Sequence, residues 1–119
     1  MMRFYLTYFL LALLTALPVT AQNEAVQAFD EGTQFLMDGD FPNAINAFAM
    51  AERAGWASTE LYYNVGLAHY RMDHLGQAIQ YLERALLLDS ENEKVVHSLN
   101  VARLRTQDQF SQLPDPFWK

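Results

Sequence analysis

The chain has no cysteine. That excludes a disulfide framework, a thiolate-ligated zinc site, a thiol nucleophile and a lipid-modified N-terminal cysteine. Basic residues are scarce, with 8 Lys and Arg against 14 Asp and Glu and a net charge of −6. Phosphate backbones are bound by clustered Lys and Arg, so nucleic acid is not expected as the main partner. Glycine is sparse and scattered (Gly32, Gly39, Gly55, Gly66, Gly76), which leaves no phosphate-cradling loop. No Gly-x-Ser-x-Gly elbow is present. His69 and His74 are five apart, not the four that set two ligands on one helical face, and His97 stands far from both. Asp38 and Asp40 fall in an expected turn and read as solvated. No catalytic, cofactor-binding or metal-ligating residue is therefore expected, and the chain does not read as an enzyme. What is abundant is apolar: 51% hydrophobic and 13% aromatic residues, enough for a folded core. A length of 119 residues allows one domain.

Residues 1–21 differ from the rest. Arg3 is their only charge, and Phe4 to Leu17 is an apolar run interrupted by Thr7 and Thr15. A charged start, an apolar stretch of about 7–15 residues and a small-x-small exit describe a secretory signal peptide. Val19-Thr20-Ala21 supplies that exit, so cleavage is expected before Gln22. The run is short of the roughly 20 apolar residues of a membrane-spanning helix. The alternative is an uncleaved inner-membrane anchor. Export without cysteine fits a bacterial periplasmic or secreted protein that is stabilised by packing.

The remainder repeats itself. Residues 25–58 set above 59–92, a shift of 34, place Gly32 on Gly66, Ala44 on Ala78, Ile45 on Ile79 and Ala51 on Ala85. Leu36 aligns with Tyr70, Phe41 with Leu75 and Phe48 with Leu82. Antiparallel helices approach closely only where side chains are small. Gly32 and Gly66 are therefore expected to face the second helix of each pair, with Phe48 and Leu82 filling the gap and Ala51 and Ala85 admitting the next pair. Gly32, Phe35, Gly39, Phe41, Ala44, Phe48 and Ala51, followed by Tyr62, Val65, Gly66, Ala78, Leu82 and Ala85, resemble the tetratricopeptide repeat (TPR) family. That resemblance implies an all-α solenoid of helix-turn-helix pairs. Two features depart from the family pattern: His69 replaces a usual aromatic, and Trp56 and Ser90 stand where a closing proline is common.

Five helices are expected in the mature chain. The first runs from about Asn23 to Met37, before an Asp38-Gly39-Asp40 turn. The second opens at Pro42 and ends near Gly55. Ser58 caps the third, which runs to about Met72. The fourth spans Leu75 to Leu88. Ser90 to Glu93 reads as a capping box for the fifth, which continues to about Asp108. The expected organisation is a signal peptide at 1–21, a TPR domain at 22–108 and a tail at 109–119. Within the domain, two 34-residue repeats (25–58, 59–92) are closed by a capping helix at about 91–108. Two repeats are few for a solenoid, so this cap is expected to be essential. The tail holds Pro114, Pro116, Phe117 and Trp118, a frayed terminus or a docking or membrane-interface segment.

Stacked helix pairs usually act by recognition, through a groove lined by the first helices. The TPR resemblance implies groove positions Val26, Phe29, Thr33 and Leu36, then Tyr63, Asn64, Leu67, Tyr70 and Arg71, then Lys94, His97, Val101 and Arg105. An apolar, aromatic groove with three cations suits a peptide. Some TPR modules clamp a chaperone's C-terminal carboxylate with two Asn and three basic residues. Asn64 and Lys94 match two of those positions, but Phe29, Thr33 and Ser98 replace the rest, so that clamp is not expected.

Leu61-Tyr-Tyr-Asn-Val-Gly66, Ala78-Ile-Gln-Tyr-Leu-Glu-Arg84-Ala, Leu99-Asn100, Asp108 and Leu113-Pro-Asp-Pro-Phe-Trp118 together resemble BatE-type proteins. These are the TPR components of Bacteroides aerotolerance clusters. The resemblance implies a periplasmic or inner-membrane-associated adaptor working beside von Willebrand A-type membrane proteins in envelope integrity or stress tolerance. Members commonly continue into membrane spans and an SH3-like domain, so the chain reads as a short relative, a fragment or a free-standing module. The alternatives are an unrelated envelope-assembly or secretion adaptor and a self-associating structural module.

Overall fold

The structure is a computed structural model that describes the backbone of residues 2–114 and the side chains of Tyr5 and residues 20–114. Five helices follow one another: α1 (Met2–Met37), α2 (Phe41–Arg53), α3 (Thr59–Arg71), α4 (Leu75–Leu88) and α5 (Glu93–Ser111). No strand occurs among the described residues. α1 packs on α2, α3 on α4, and α2 and α4 each join the next element, which gives helix-turn-helix pairs stacked in chain order.

Local chemistry sets the boundaries. Asp40 caps α2 by accepting from the Asn43 N–H at 3.4 Å, and Pro42 lies in the first turn, where its missing N–H costs nothing. The Ser58 hydroxyl caps α3 by accepting from the Leu61 N–H at 3.1 Å. Gly39 and Gly55 follow α1 and α2 at φ +77° and +98°, a left-handed backbone open to glycine at little cost. Asp73 takes that role after α3, at φ 63°; among side chains, Asp tolerates this region better than most.

Three boundaries differ from those read in the sequence. α1 begins at Met2, not near Asn23, so one helix joins the apolar leader to the first repeat through Pro18. Proline there forgoes one backbone hydrogen bond but does not end the helix. α5 is capped by Asn92, whose side chain accepts from the Val95 N–H at 3.2 Å, and not by Ser90. Asn92 is the nearer cap, so the capping box is not used. α5 also runs three residues beyond Asp108, to Ser111. Of the tail, Phe117 and Trp118 lie outside the described residues.

The core forms around two centres. Phe48 and Leu61, both fully buried, gather Ala28, Ala44, Ala51 and Val65 between the first pair and α3. Leu82 and Leu99 join Ala102 between α4 and α5. Small residues let the backbones close. A Cβ added at Gly32 would stand 2.7 Å from two ring carbons of Phe48, and one at Gly66 would stand 2.9 Å from Leu82 Cγ. Ala51 and Ala85 are fully buried where the next pair packs. Trp56, in place of a repeat-closing proline, stacks on Phe29 at 5.4 Å while its indole N–H donates to the Ser58 hydroxyl at 3.1 Å. His69, in place of an aromatic, stacks on Tyr81 at 5.6 Å.

Candidate functional site

The candidate groove lies along the seam of α3 and α5, two first-type helices. Residues 63, 67 and 70 recur at helical spacing on α3, and 94, 97, 98, 101 and 105 do so on α5. A cleft of about 140 Å³ opens between them, lined by Leu67, Tyr70, Leu82, His97, Ser98 and Val101. At the N-terminal ends of the same two helices a wider mouth of about 300 Å³ is lined by Tyr63, Lys94, Asn92, Glu60, Thr59 and Val95.

Two cations flank the cleft, each held over an aromatic face. The Lys94 ammonium sits 4.2 Å above the Tyr63 ring. The Arg105 guanidinium sits 5.0 Å above Tyr70 and makes a 2.8 Å ion pair with the Asp73 carboxylate. Arrangements of this kind draw cation and ring together by about 0.5–1 kcal/mol at exposed sites. They also hold Tyr63 and Tyr70, both half-buried, as the groove's walls. Arg71 is exposed, with no ion pair among the described residues.

The thirteen residues read from the sequence divide. Leu67, Tyr70, His97 and Val101 come together in the cleft, with Tyr63, Lys94 and Arg105 beside it. The first-repeat set is placed differently. Phe29 packs between Trp56 and Phe48, and Leu36 against the same core, because α2 and the Trp56 turn cover that side of α1. Thr33 spends its hydroxyl on the Phe29 carbonyl at 3.0 Å. Asn64 is only 7% exposed as a residue. Val26 is 37% exposed. The sequence left Leu82 out of the groove and placed Ser98 there only as a replaced clamp position. Ser98, one position past His97, carried the signal of helical spacing; Leu82 was assigned to the helix-pair gap and fills both roles.

A second cluster lies at the α3–α4 turn. The rings of His69 and His74 are 5.8 Å apart, and His69 Nδ1 is buried with no hydrogen-bond partner. Burial, and then the neighbouring His74, pushes the His69 imidazole below its ordinary value. On the other side, the Tyr62 hydroxyl donates to Glu52 at 3.3 Å, and burial followed by the Glu52 charge raises its pKa. Arg84 reaches the same Glu52 at 3.9 Å and lies over Tyr81, which ties α2, α3 and α4 together. No group of three or more His, Cys, Asp or Glu able to hold a metal ion occurs among the described residues. No described helix is long and apolar enough to cross a membrane.

Comparison with known proteins agrees with this geometry. Residues 59–92 match the family model described as tetratricopeptide repeat. The second TPR of Spaghetti (RPAP3), bound to an HSP90 peptide SRMEEVD, is similar with a TM-score of 0.67 at 24% identity, over 75% of this chain and 84% of that one. The TPR2B domain of yeast Sti1, in complex with pHsp70, gives 0.66 at 20% identity over 74% and 70%. The TPR2AB domain of yeast Sti1, in complex with pHSP90, gives 0.67 at 20% identity over 84% and 40%. None of the curated proteins compared with the chain matches it. The fold is that of a tetratricopeptide-type helical solenoid, and residues 59–92 match one repeat of that family.

Proposed function

We propose that the chain is a non-catalytic adaptor that holds a partner protein or peptide in the α3/α5 groove. The observation that carries this reading is the cleft itself: an apolar notch between Leu67, Tyr70, Leu82 and Val101, flanked by cations on an otherwise acidic protein. Such a site offers one or two apolar anchors and a few polar contacts, which is the grammar of peptide recognition. Structurally similar TPR domains were captured with HSP90 and Hsp70 peptides, which adds support.

The finer reading adds export and context. The first buried residue among those described is Ala25, after the expected cleavage site before Gln22. An uncleaved leader would instead hold the adaptor at the inner membrane. In a BatE-like setting the partner is a von Willebrand A-type membrane protein. The second reading, self-association through the C-terminal segment, is favoured by Phe110 and Leu113, 68% and 63% exposed.

The test is a pull-down from solubilised envelopes with the full chain and with its Tyr63→Ala/Tyr70→Ala variant. A partner retained only by the native chain is the expected outcome. Equal capture by both, or recovery of the chain alone, moves the function to self-assembly.

A further inference from the structure

Resting on that reading, we propose that the groove recognises an internal aliphatic side chain of an acidic segment, and not a free carboxyl terminus. The size of the cleft supports the first part. At about 140 Å³ it is close to the roughly 150 Å³ engineered apolar cavity that takes up benzene. One Leu, Ile or Met side chain fits such a volume. Its walls are Leu67, Tyr70, Leu82 and Val101, with His97 and Ser98 as the polar edge.

The state of the polar groups supports the second part. Gripping a terminal carboxylate needs several donors converging on two oxygens. Here Arg105 is already neutralised by Asp73 at 2.8 Å and laid over Tyr70. Asn64, which occupies a clamp position by spacing, is 7% exposed and adds a single neutral amide. That leaves Lys94, exposed on the face of Tyr63 and without an ion pair among the described residues. One ammonium attracts a carboxylate side chain but does not fix a terminus.

The spacing follows from helix geometry. Lys94 precedes His97 by three positions and Val101 by seven, which places it about 5–10 Å from the cleft along α5. An extended peptide advances about 3.3 Å per residue. The acidic residue therefore lies two or three positions from the aliphatic anchor. Charge agrees, because Lys94 stands beside the cleft with no ion pair among the described residues.

The experiment uses the immobilised full chain and two random nine-residue peptide libraries, one flanked by chain on both sides and one ending in a free carboxylate. The best peptides are then measured by fluorescence anisotropy, acetylated and amidated. The expected result is enrichment in both libraries of Leu, Ile or Met with Asp or Glu two or three positions away. Amidation then changes Kd less than about twofold, and replacing the anchor by Ser weakens binding about tenfold or more. Lys94→Gln, at an exposed position that leaves the fold intact, weakens acidic peptides about threefold and flattens their salt dependence. Val101→Asp abolishes the anchor's contribution. A requirement for the free carboxylate overturns the inference, as does selection of basic peptides. Peptides that bind equally to Lys94→Gln and Val101→Asp overturn it as well. If no peptide is enriched while the envelope pull-down still captures a Tyr63- and Tyr70-dependent partner, the inference falls and the adaptor stands. If both experiments are empty, both fall.

Discussion

Replacing Gly32 by alanine tests whether α1 and α2 are as close as their packing implies. Alanine is about 1 kcal/mol better than glycine inside a helix, so a loosely packed pair would be stabilised. Here the new Cβ would stand 2.7 Å from Phe48 Cδ1 and Cε1 and 3.0 Å from Cγ. Carbon atoms sit comfortably at about 3.5–4.0 Å, so ring or helix must withdraw by about 1 Å. The ring has nowhere to go: Phe48 is fully buried, with Phe29 5.7 Å away. Two contacts at 2.7 Å in a fully buried site put the cost in the upper part of the range for overpacking, about 2–3 kcal/mol, so after the helix gain the net loss is about 1–2 kcal/mol. Thermal unfolding followed by circular dichroism reads this as a drop of about 4–8 °C per kcal/mol. Gly76→Ala is the control. Nothing lies within 4 Å of its added Cβ, and its place in the first turn of α4 limits the gain to about 0.5 kcal/mol in the stabilising direction. If Gly32→Ala is neutral or stabilising while Gly76→Ala behaves as expected, the close approach is refuted, and with it the account of why glycine recurs at a period of 34.

Other expectations follow from single contacts. Ser58→Ala removes the α3 cap and the acceptor of the Trp56 indole together, so a urea titration should show a loss of about 1–2 kcal/mol, against about 1 for Asn92→Ala, which loses a cap and an exposed bond to Asp89. The His69 imidazole is held below its ordinary value in the fold, so the unfolded chain takes up the proton first. Stability present at neutral pH should therefore decline as pH falls through about 6.5 and below. His69→Phe, which keeps a ring against Tyr81, should remove that decline, and a midpoint-versus-pH series on both proteins checks it. Val101→Asp should leave the melting temperature within about 2 °C of the parent, because the side chain is 37% exposed, while disabling the cleft.

The helices were legible wherever a local rule acted alone. Ser58, the Asp38–Asp40 turn and Pro42, and the glycines at 32 and 66 each encode a boundary or an approach through their own chemistry. The failures are places where two signals competed. Ser90-x-x-Glu93 and Asn92 both offer a cap, and only the position of the first helical turn decides between them. The apolar leader and the first repeat helix read as separate segments by composition, yet nothing between them except Pro18 breaks a helix. In the groove, the second-repeat and α5 positions came together, while Phe29 and Leu36, half-buried like Tyr63 and Tyr70, pack toward the first core. Their burial depends on Trp56 folding over α1, and family spacing alone does not show what a tryptophan in place of a proline will cover.

Why the groove forms between α3 and α5 can be argued from one residue. α5 repeats the pattern of the earlier first helices: Val95, Leu99 and Ala102 stand 34 positions after Leu61, Val65 and Ala68, all of them buried, and Asn92 caps as Ser58 does. At the next equivalent position the pattern breaks. Where Gly32 and Gly66 let a second helix close to 2.7 and 2.9 Å of an absent Cβ, α5 carries Asn100, exposed. A helix laid there would meet that Cβ and would have to satisfy an amide, so it could not seat at the same distance. Beside it Arg103 reaches back to Glu83 at 2.9 Å, which places a polar pair at the edge of this face. α5 therefore does what a first helix does toward α4, burying Val95, Leu99 and Ala102, without the glycine that a tightly seated second helix would require. Of its remaining apolar positions, Val101 faces the seam with α3, where Tyr63 and Tyr70 are held by Lys94 and Arg105. α5 thus serves as the second wall of the cleft.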